Sequence, residues 1–188
     1  MIYGIMGLAG SGKTTVADVL AEETGAHVLS VAAPIRAMLL ALGLQDQDFR
    51  GRSKERVIGW IGKSPRELMQ SLGDWGREQN QNIWATLLDA RVSMALEPKI
   101  KPGKPSKAKA PIIQSAIVDD IRFPLEAAVI RNRGGYLIRV IRPGMRQGAH
   151  VTERNANLIQ ADVEFQNTSG LDGLKAQVLD WLDEIENG

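Results

Sequence analysis

The sequence predicts an α/β fold, a parallel β-sheet covered by helices on both faces, and three observations carry that prediction. Apolar runs rich in β-branched residues at 2–6, 27–31, 112–118, 136–141 and 161–165 alternate with helical patterns. Strands separated by helices pair in parallel when each crossover lays its helix over the sheet. The first run leads directly into Gly7-Leu8-Ala9-Gly10-Ser11-Gly12-Lys13-Thr14, which fits the phosphate-loop pattern G-x-x-x-x-G-K-[ST] in its strand-then-helix setting.

The loop's residue types follow from its chemistry. Successive backbone N–H groups must curl around phosphate oxygens, which calls for glycine at positive φ and no intruding Cβ. Lys13 offers a compact cation to β- and γ-phosphates, Thr14 offers a hydroxyl to Mg²⁺, and the helix opening here points its positive end at the anion. Ala9, Gly10, Ser11, Gly12, Lys13, Thr14 and Thr15 are therefore the candidate nucleotide contacts.

The remaining elements follow in order. The first helix is expected over 13–23, burying Val16, Val19 and Leu20 and ending at Gly25. A second begins near Pro34, with Ile35, Met38, Leu39 and Leu42 at helical spacing up to Gly43. Ser64-Pro65-Arg66-Glu67 has an N-cap, a proline at the first helical position and a capping-box glutamate, opening a helix through about Arg77. Helical patterns follow at 82–96, 125–131 and 171–185, the last burying Leu174, Val178, Leu179, Trp181, Leu182 and Ile185. The lysine- and proline-rich stretch 98–111 cannot build core and is expected to be a solvated, flexible basic loop.

Composition sets the outer bounds. A chain of 188 residues suits one domain with insertions. Twenty-three Lys plus Arg against 22 Asp plus Glu give a net charge of +1, so nothing drives the chain as a whole toward nucleic acid or membranes. Without cysteine, disulfides, thiolate metal sites and a catalytic thiol are excluded. The amino-terminal segment reads as strand and loop rather than export signal, and no 18 apolar residues run together, so a soluble cytoplasmic protein is expected.

A phosphate loop alone does not say what receives the γ-phosphate. Transfer between two bound anions needs cations on both sides of the moving group. Arg66, Gln70, Gly73 and Arg77 fall at i, i+4, i+7 and i+11, one face of one helix, with Leu68, Leu72 and Trp75 on another; the spacing fits an anion-facing ridge or a solvated face equally well. Strand 112–118 runs into Asp119-Asp120-Ile121-Arg122, at the sheet edge where ligands collect. One aspartate would face Mg²⁺ and Arg122 would bridge the two phosphates; alternatively Asp120 and Arg122 pair with each other or cap the next helix. The basic segment from Arg142 through Arg146 to His150 resembles a short lid that would exclude water on closing. His27 and His150 lack partners at metal-ligand spacing, and tryptophans 60, 75 and 181 are expected in the core, with Trp84 singled out as a candidate base-stacking platform.

Together these segments resemble the phage-type deoxynucleoside monophosphate kinases, within the P-loop nucleoside monophosphate kinase group. The resemblance runs through Ala33-Pro34-Ile35-Arg36, Arg66-Glu67-Leu68-Met69-Gln70-Ser71-Leu72-Gly73, Asp120-Ile121-Arg122 with Glu126, Val140-Ile141-Arg142-Pro143-Gly144, His150-Val151-Thr152-Glu153, and Asp162 with Asn167. It implies a three-layer P-loop NTP hydrolase fold over 1–188: a five-stranded parallel sheet, a helical monophosphate-binding insert at 31–97 and a lid at 142–156. It implies the reaction ATP + dNMP → ADP + dNDP, with Mg²⁺, small-molecule nucleotides as the partners, host cytoplasm if the chain is phage-encoded, and a homodimer as one open assembly state. By resemblance Lys13, Asp120, Arg122 and Arg142 are catalytic, and Thr14 and Asp120 hold the metal. Arg36, Arg66, Gln70, Arg77 and Trp84 bind the acceptor, while Arg146 and Asn167 join the donor site. A kinase of another phosphorylated metabolite, such as phosphomevalonate, and a nucleotide-binding regulatory ATPase are the alternatives. Residues 42–63, where an acceptor base would be read, have no family match.

Overall fold

The computed structural model describes residues 1–97, 114–145 and 158–187. Five parallel strands, β1 (Ile2–Met6), β2 (His27–Ser30), β3 (Ala116–Asp119), β4 (Tyr136–Ile141) and β5 (Val163–Gln166), form one sheet in the order β2-β3-β1-β4-β5. The central strand β1 pairs Tyr3 with Ile117 on one side and with Tyr136 on the other. All five of its residues are buried, which is why it reads as an unbroken apolar run rather than an alternating one.

The helices are α1 (Lys13–Thr24), α2 (Ala33–Ala41), α3 (Pro65–Gln79), α4 (Ile83–Leu96), α5 (Pro124–Arg131) and α6 (Gly170–Asn187). Helix α1 buries Val16, Ala17, Val19 and Leu20, and ends where left-handed Gly25 donates its N–H to Ala21 O. Trp181 of α6 meets Tyr3, Tyr136 and Phe165 edge-on at 6.0, 5.3 and 5.9 Å, tying the helix to three strands. The predicted strand 112–118 is found as Ala116–Asp119, with 112 and 113 outside the described residues, and the weak run 161–165 as Val163–Gln166.

The chain divides into two compact units, residues 1–30 with 87–188, and residues 31–86. The boundary between the two units falls within α4, after Thr86. The reason lies in α4, whose later part is bonded into the sheet unit: Arg133 Nε donates to Asp89 Oδ1 at 2.7 Å, Arg133 Nη2 to Ser93 Oγ at 2.7 Å, and Arg91 Nη1 to Ser30 O at 2.6 Å. The Arg133 hydrogen bond holds the Asp89 carboxyl below its ordinary range despite some desolvation.

Within the helical unit, α3 opens with the predicted capping box. Glu67 N–H donates to Ser64 Oγ at 3.3 Å, and Ser64 N–H to Glu67 Oε2 at 2.8 Å. Three tryptophans depart from expectation. Trp60 and Trp75, expected in the core, are 73% and 49% exposed. Trp84, expected to meet substrate, is 7% exposed: its indole N–H donates to Gly73 O at 2.9 Å, and its ring lies where a Cβ on Gly76 would approach to 2.3 Å. Gly76 leaves the space that the indole fills and Gly73 supplies the carbonyl it bonds, so Trp84 braces α3 instead of presenting a stacking face. Among the described residues no helix is long and apolar enough to cross a membrane.

Candidate active site

The phosphate loop joins β1 to α1, and its backbone geometry requires its glycines. Gly7 has φ +147°, and a Cβ there would stand 2.4 Å from the Val140 carbonyl oxygen of the neighbouring strand. Gly12 has φ +114°, and a Cβ there would meet Asn167 Nδ2 and Leu174 Cδ2, each at 2.8 Å. Ser11, 1% exposed, has a hydroxyl oxygen without a hydrogen-bond partner among the described residues. An unsatisfied buried hydroxyl inside a loop that admits no Cβ fits a ligand rich in acceptor oxygens.

Lys13, in the first turn of α1, reaches back across this loop. Its Nζ donates to Gly7 O at 2.8 Å and Leu8 O at 2.9 Å, and lies 3.4 Å from Asp120 Oδ1. Asp120 follows the last residue of β3 and has φ 63°, the one positive φ outside glycine among the described residues. Its Oδ2 accepts from Arg122 Nε at 2.9 Å, so one carboxylate stands between two cations. Burial pushes the Asp120 carboxyl up, but the Arg122 and Lys13 charges outweigh it and hold the group below the ordinary aspartate range. Of the aspartate doublet, Asp120 is therefore the member paired with Lys13, and the pairing of Asp120 with Arg122 weighed from the sequence is present.

Two further predicted residues reach the same loop. Arg142, just past β4, donates from Nη1 to Gly10 O at 3.3 Å. Asn167, expected in the donor site, donates from Nδ2 to Ser11 O at 2.7 Å, so its side chain braces the loop. Thr14 is exposed and Thr15 half-buried at the start of α1. Arg146, most of the expected lid, the 98–111 stretch and His150 lie outside the described residues.

The acceptor candidates Arg36, Arg66, Gln70 and Arg77 all belong to the helical unit. Arg36 lies over the Phe49 ring at 5.5 Å, Arg66 Nε is 2.7 Å from Glu55 Oε1, and Arg77 Nη2 is 2.6 Å from Asp74 Oδ1. On α3 the 66, 70 and 77 positions are half-buried and Gly73 is buried, so this is not the fully solvated face that helical spacing also allowed.

Sequence reasoning passed over two participants. Glu126, whose residue type and position alone assign it no role, is 4% exposed and accepts from the backbone of Arg122 and Phe123. Its signal was Pro124 at a first helical position with a glutamate at the third. Met145 places its methyl 3.3 Å from where a Cβ on Gly10 would stand, and nothing in its residue type announced that.

The five-stranded parallel sheet and its phosphate loop are similar to those of solved P-loop kinases. The shikimate kinase of Aquifex aeolicus superposes with a TM-score of 0.54 over 97% of this chain and 96% of its own, at 11% identity, a likeness of fold. More specific is a protein of Acanthamoeba polyphaga mimivirus named "Putative deoxynucleotide monophosphate kinase", 27% identical over 190 residues that span 97% of this chain and 96% of the relative. The resemblance drawn from the motifs is thus met by a relative of that name along nearly the whole chain. No family model matches.

Proposed function

We propose that this protein transfers the γ-phosphoryl group of ATP to a deoxynucleoside 5′-monophosphate, giving ADP and a deoxynucleoside diphosphate. The observation that carries the reading is the convergence of Lys13, Asp120, Arg122 and Arg142 on one phosphate loop. The name of the mimivirus relative supports the choice of acceptor.

The chain's own residues divide the work. Loop amides and the Ser11 hydroxyl hold phosphate oxygens, and Lys13 neutralises charge on the moving group. Arg122 presents a planar fork of donors to the acceptor phosphate, and Arg142 covers the donor side near Gly10. Thr14 and Asp120 would offer oxygen ligands to Mg²⁺, which would supply charge neutralisation on the phosphates. Arg36, Arg66, Gln70 and Arg77 of the helical unit serve the acceptor. No general base is needed, because a monophosphate with a second pKa of about 6 already offers an ionised oxygen. That oxygen bonds to the γ-phosphorus as the bond to the β,γ-bridging oxygen breaks, and ADP departs with the electron pair.

The test is ADP release measured against a panel of all ribo- and deoxynucleoside monophosphates. Release is expected only with an added monophosphate and fastest with a deoxynucleotide; equal release without an acceptor would reject the assignment. Lys13→Ala should abolish transfer in a protein that still folds. Arg122→Ala should lower kcat far more than it weakens ATP binding, and a loss confined to ATP affinity would reject the bridging role.

A further inference from the structure

The Asp120-Ile121-Arg122 turn bends sharply, and each backbone amide that follows Asp120 in it has an assigned acceptor. Ile121 N–H donates to Ile5 O at 2.8 Å, anchoring the turn to β1. Arg122 N–H and Phe123 N–H both donate to Glu126 Oε2, at 2.8 and 3.0 Å. Asp120 sits at φ 63°, in the left-handed region that residues other than glycine adopt uncommonly.

Glu126 differs from the other capping-box glutamate, Glu67, which does the same job for α3 from an exposed position. A carboxylate exposed to water is enough to cap a helix, whereas Glu126 is 4% exposed, and burying a carboxylate carries a desolvation cost that capping an eight-residue helix does not require. The segment it holds is the one that sets Asp120 against Lys13 and Arg122 against Asp120.

We propose that Glu126 is a positioning residue for phosphoryl transfer: by holding the amides of Arg122 and Phe123 it fixes the turn that aims Arg122 at the transferred group. The proposal rests on the kinase reading above and adds a residue to it. Glu126 touches no reacting atom, so its effect must pass through Arg122.

Kinetics of E126M, E126Q, R122A and the double variant E126M/R122A test it, together with amide hydrogen exchange. In E126M, kcat is expected to fall about 10- to 100-fold, as for loss of a supporting partner, with the ATP KM within about twofold of wild type. E126M/R122A is expected to be no slower than R122A alone, because the side chain being aimed is already gone. An E126M kcat within about twofold of wild type, or a double variant slower than R122A by the full E126M factor, would overturn the proposal. Should E126M not fold, E126Q and its double variant with R122A carry the same comparison with the acceptor kept and the charge removed. If the wild type transfers phosphate to no monophosphate, it is the kinase reading that fails. Glu126 is then judged on exchange in E126Q: faster exchange at Arg122 and Phe123 with Ile121 unchanged upholds the anchoring, and unchanged exchange at both refutes it.

Discussion

Trp84→Phe separates a core brace from a substrate platform. The substitution removes the hydrogen bond from the indole to Gly73 O, 2.9 Å long, at about 0.5–1.5 kcal/mol. Gly73 sits inside α3, so its carbonyl keeps a helical partner and the lower half of that range applies. Replacing a bicyclic ring by phenyl in a slot this tight leaves a void over Gly76, adding about 1–3 kcal/mol. The sum, roughly 1.5–4 kcal/mol, corresponds to a fall in Tm of about 3–16 °C for a chain of this size. Differential scanning calorimetry reads the stability, and steady-state kinetics at 25 °C, below both transitions, read the KM for the monophosphate. A lowered Tm with an unchanged acceptor KM is expected. An unchanged Tm with an acceptor KM raised tenfold would mean that the ring meets substrate and that the brace is a misreading.

Gly12→Ala should cost about 1–2 kcal/mol for a side chain at positive φ and about 1–3 kcal/mol for crowding against Asn167 and Leu174, and should abolish ATP binding by calorimetric titration; wild-type binding would refute the close packing of the loop. Asp120 titrates below its ordinary value of about 3.9, so its stabilisation is present above that pH and is lost as pH falls through the lower folded value. The urea midpoint of Asp120→Asn should accordingly lie below that of wild type at pH 7, with the gap narrowing as pH falls below the ordinary aspartate value, and a gap independent of pH would refute the coupling. Arg133→Ala removes the partner of Asp89 and Ser93 and should destabilise the protein by about 1–2 kcal/mol while speeding amide exchange in α4; unchanged exchange there would show that the helix is held by apolar packing alone.

The sheet and the phosphate loop were legible because their signals are local. A buried parallel strand must be apolar throughout, and a loop that closes on phosphate must carry glycine and lysine at fixed offsets. Asp120 and Arg122 were legible for the same reason, since a strand's end marks the active edge once the loop has located it. Long-range pairings were not. Asn167 bonds a carbonyl 156 positions away, and neither segment records which carbonyl an amide will choose. Tryptophan positions misled because burial depends on the neighbour: Trp84 is buried where Gly76 of α3 leaves room and Gly73 offers its carbonyl, while Trp75 on that same helix faces outward. Glu126 needed the fold as well, since a capping box can be read from spacing but its burial beneath a functional turn cannot.

The arrangement at Lys13 also bears on how little the site must change when a nucleotide arrives. A lysine ammonium has three protons to donate. Two are already placed, on Gly7 O and Leu8 O, and both acceptors belong to the loop itself. The remaining direction faces Asp120 at 3.4 Å, longer than a good charge-assisted hydrogen bond. An arriving phosphate oxygen therefore has one loose contact to displace and no tight one, and the loop carbonyls keep the ammonium in place during the exchange. Asp120, released from Lys13, retains Arg122 and frees an oxygen on the side where the phosphates and their metal would lie. Electrostatic catalysis gains most where donors need no reorganisation as charge develops. On the proposed reading, the carboxylate that pairs with both Lys13 and Arg122 would yield one of them to a more highly charged anion.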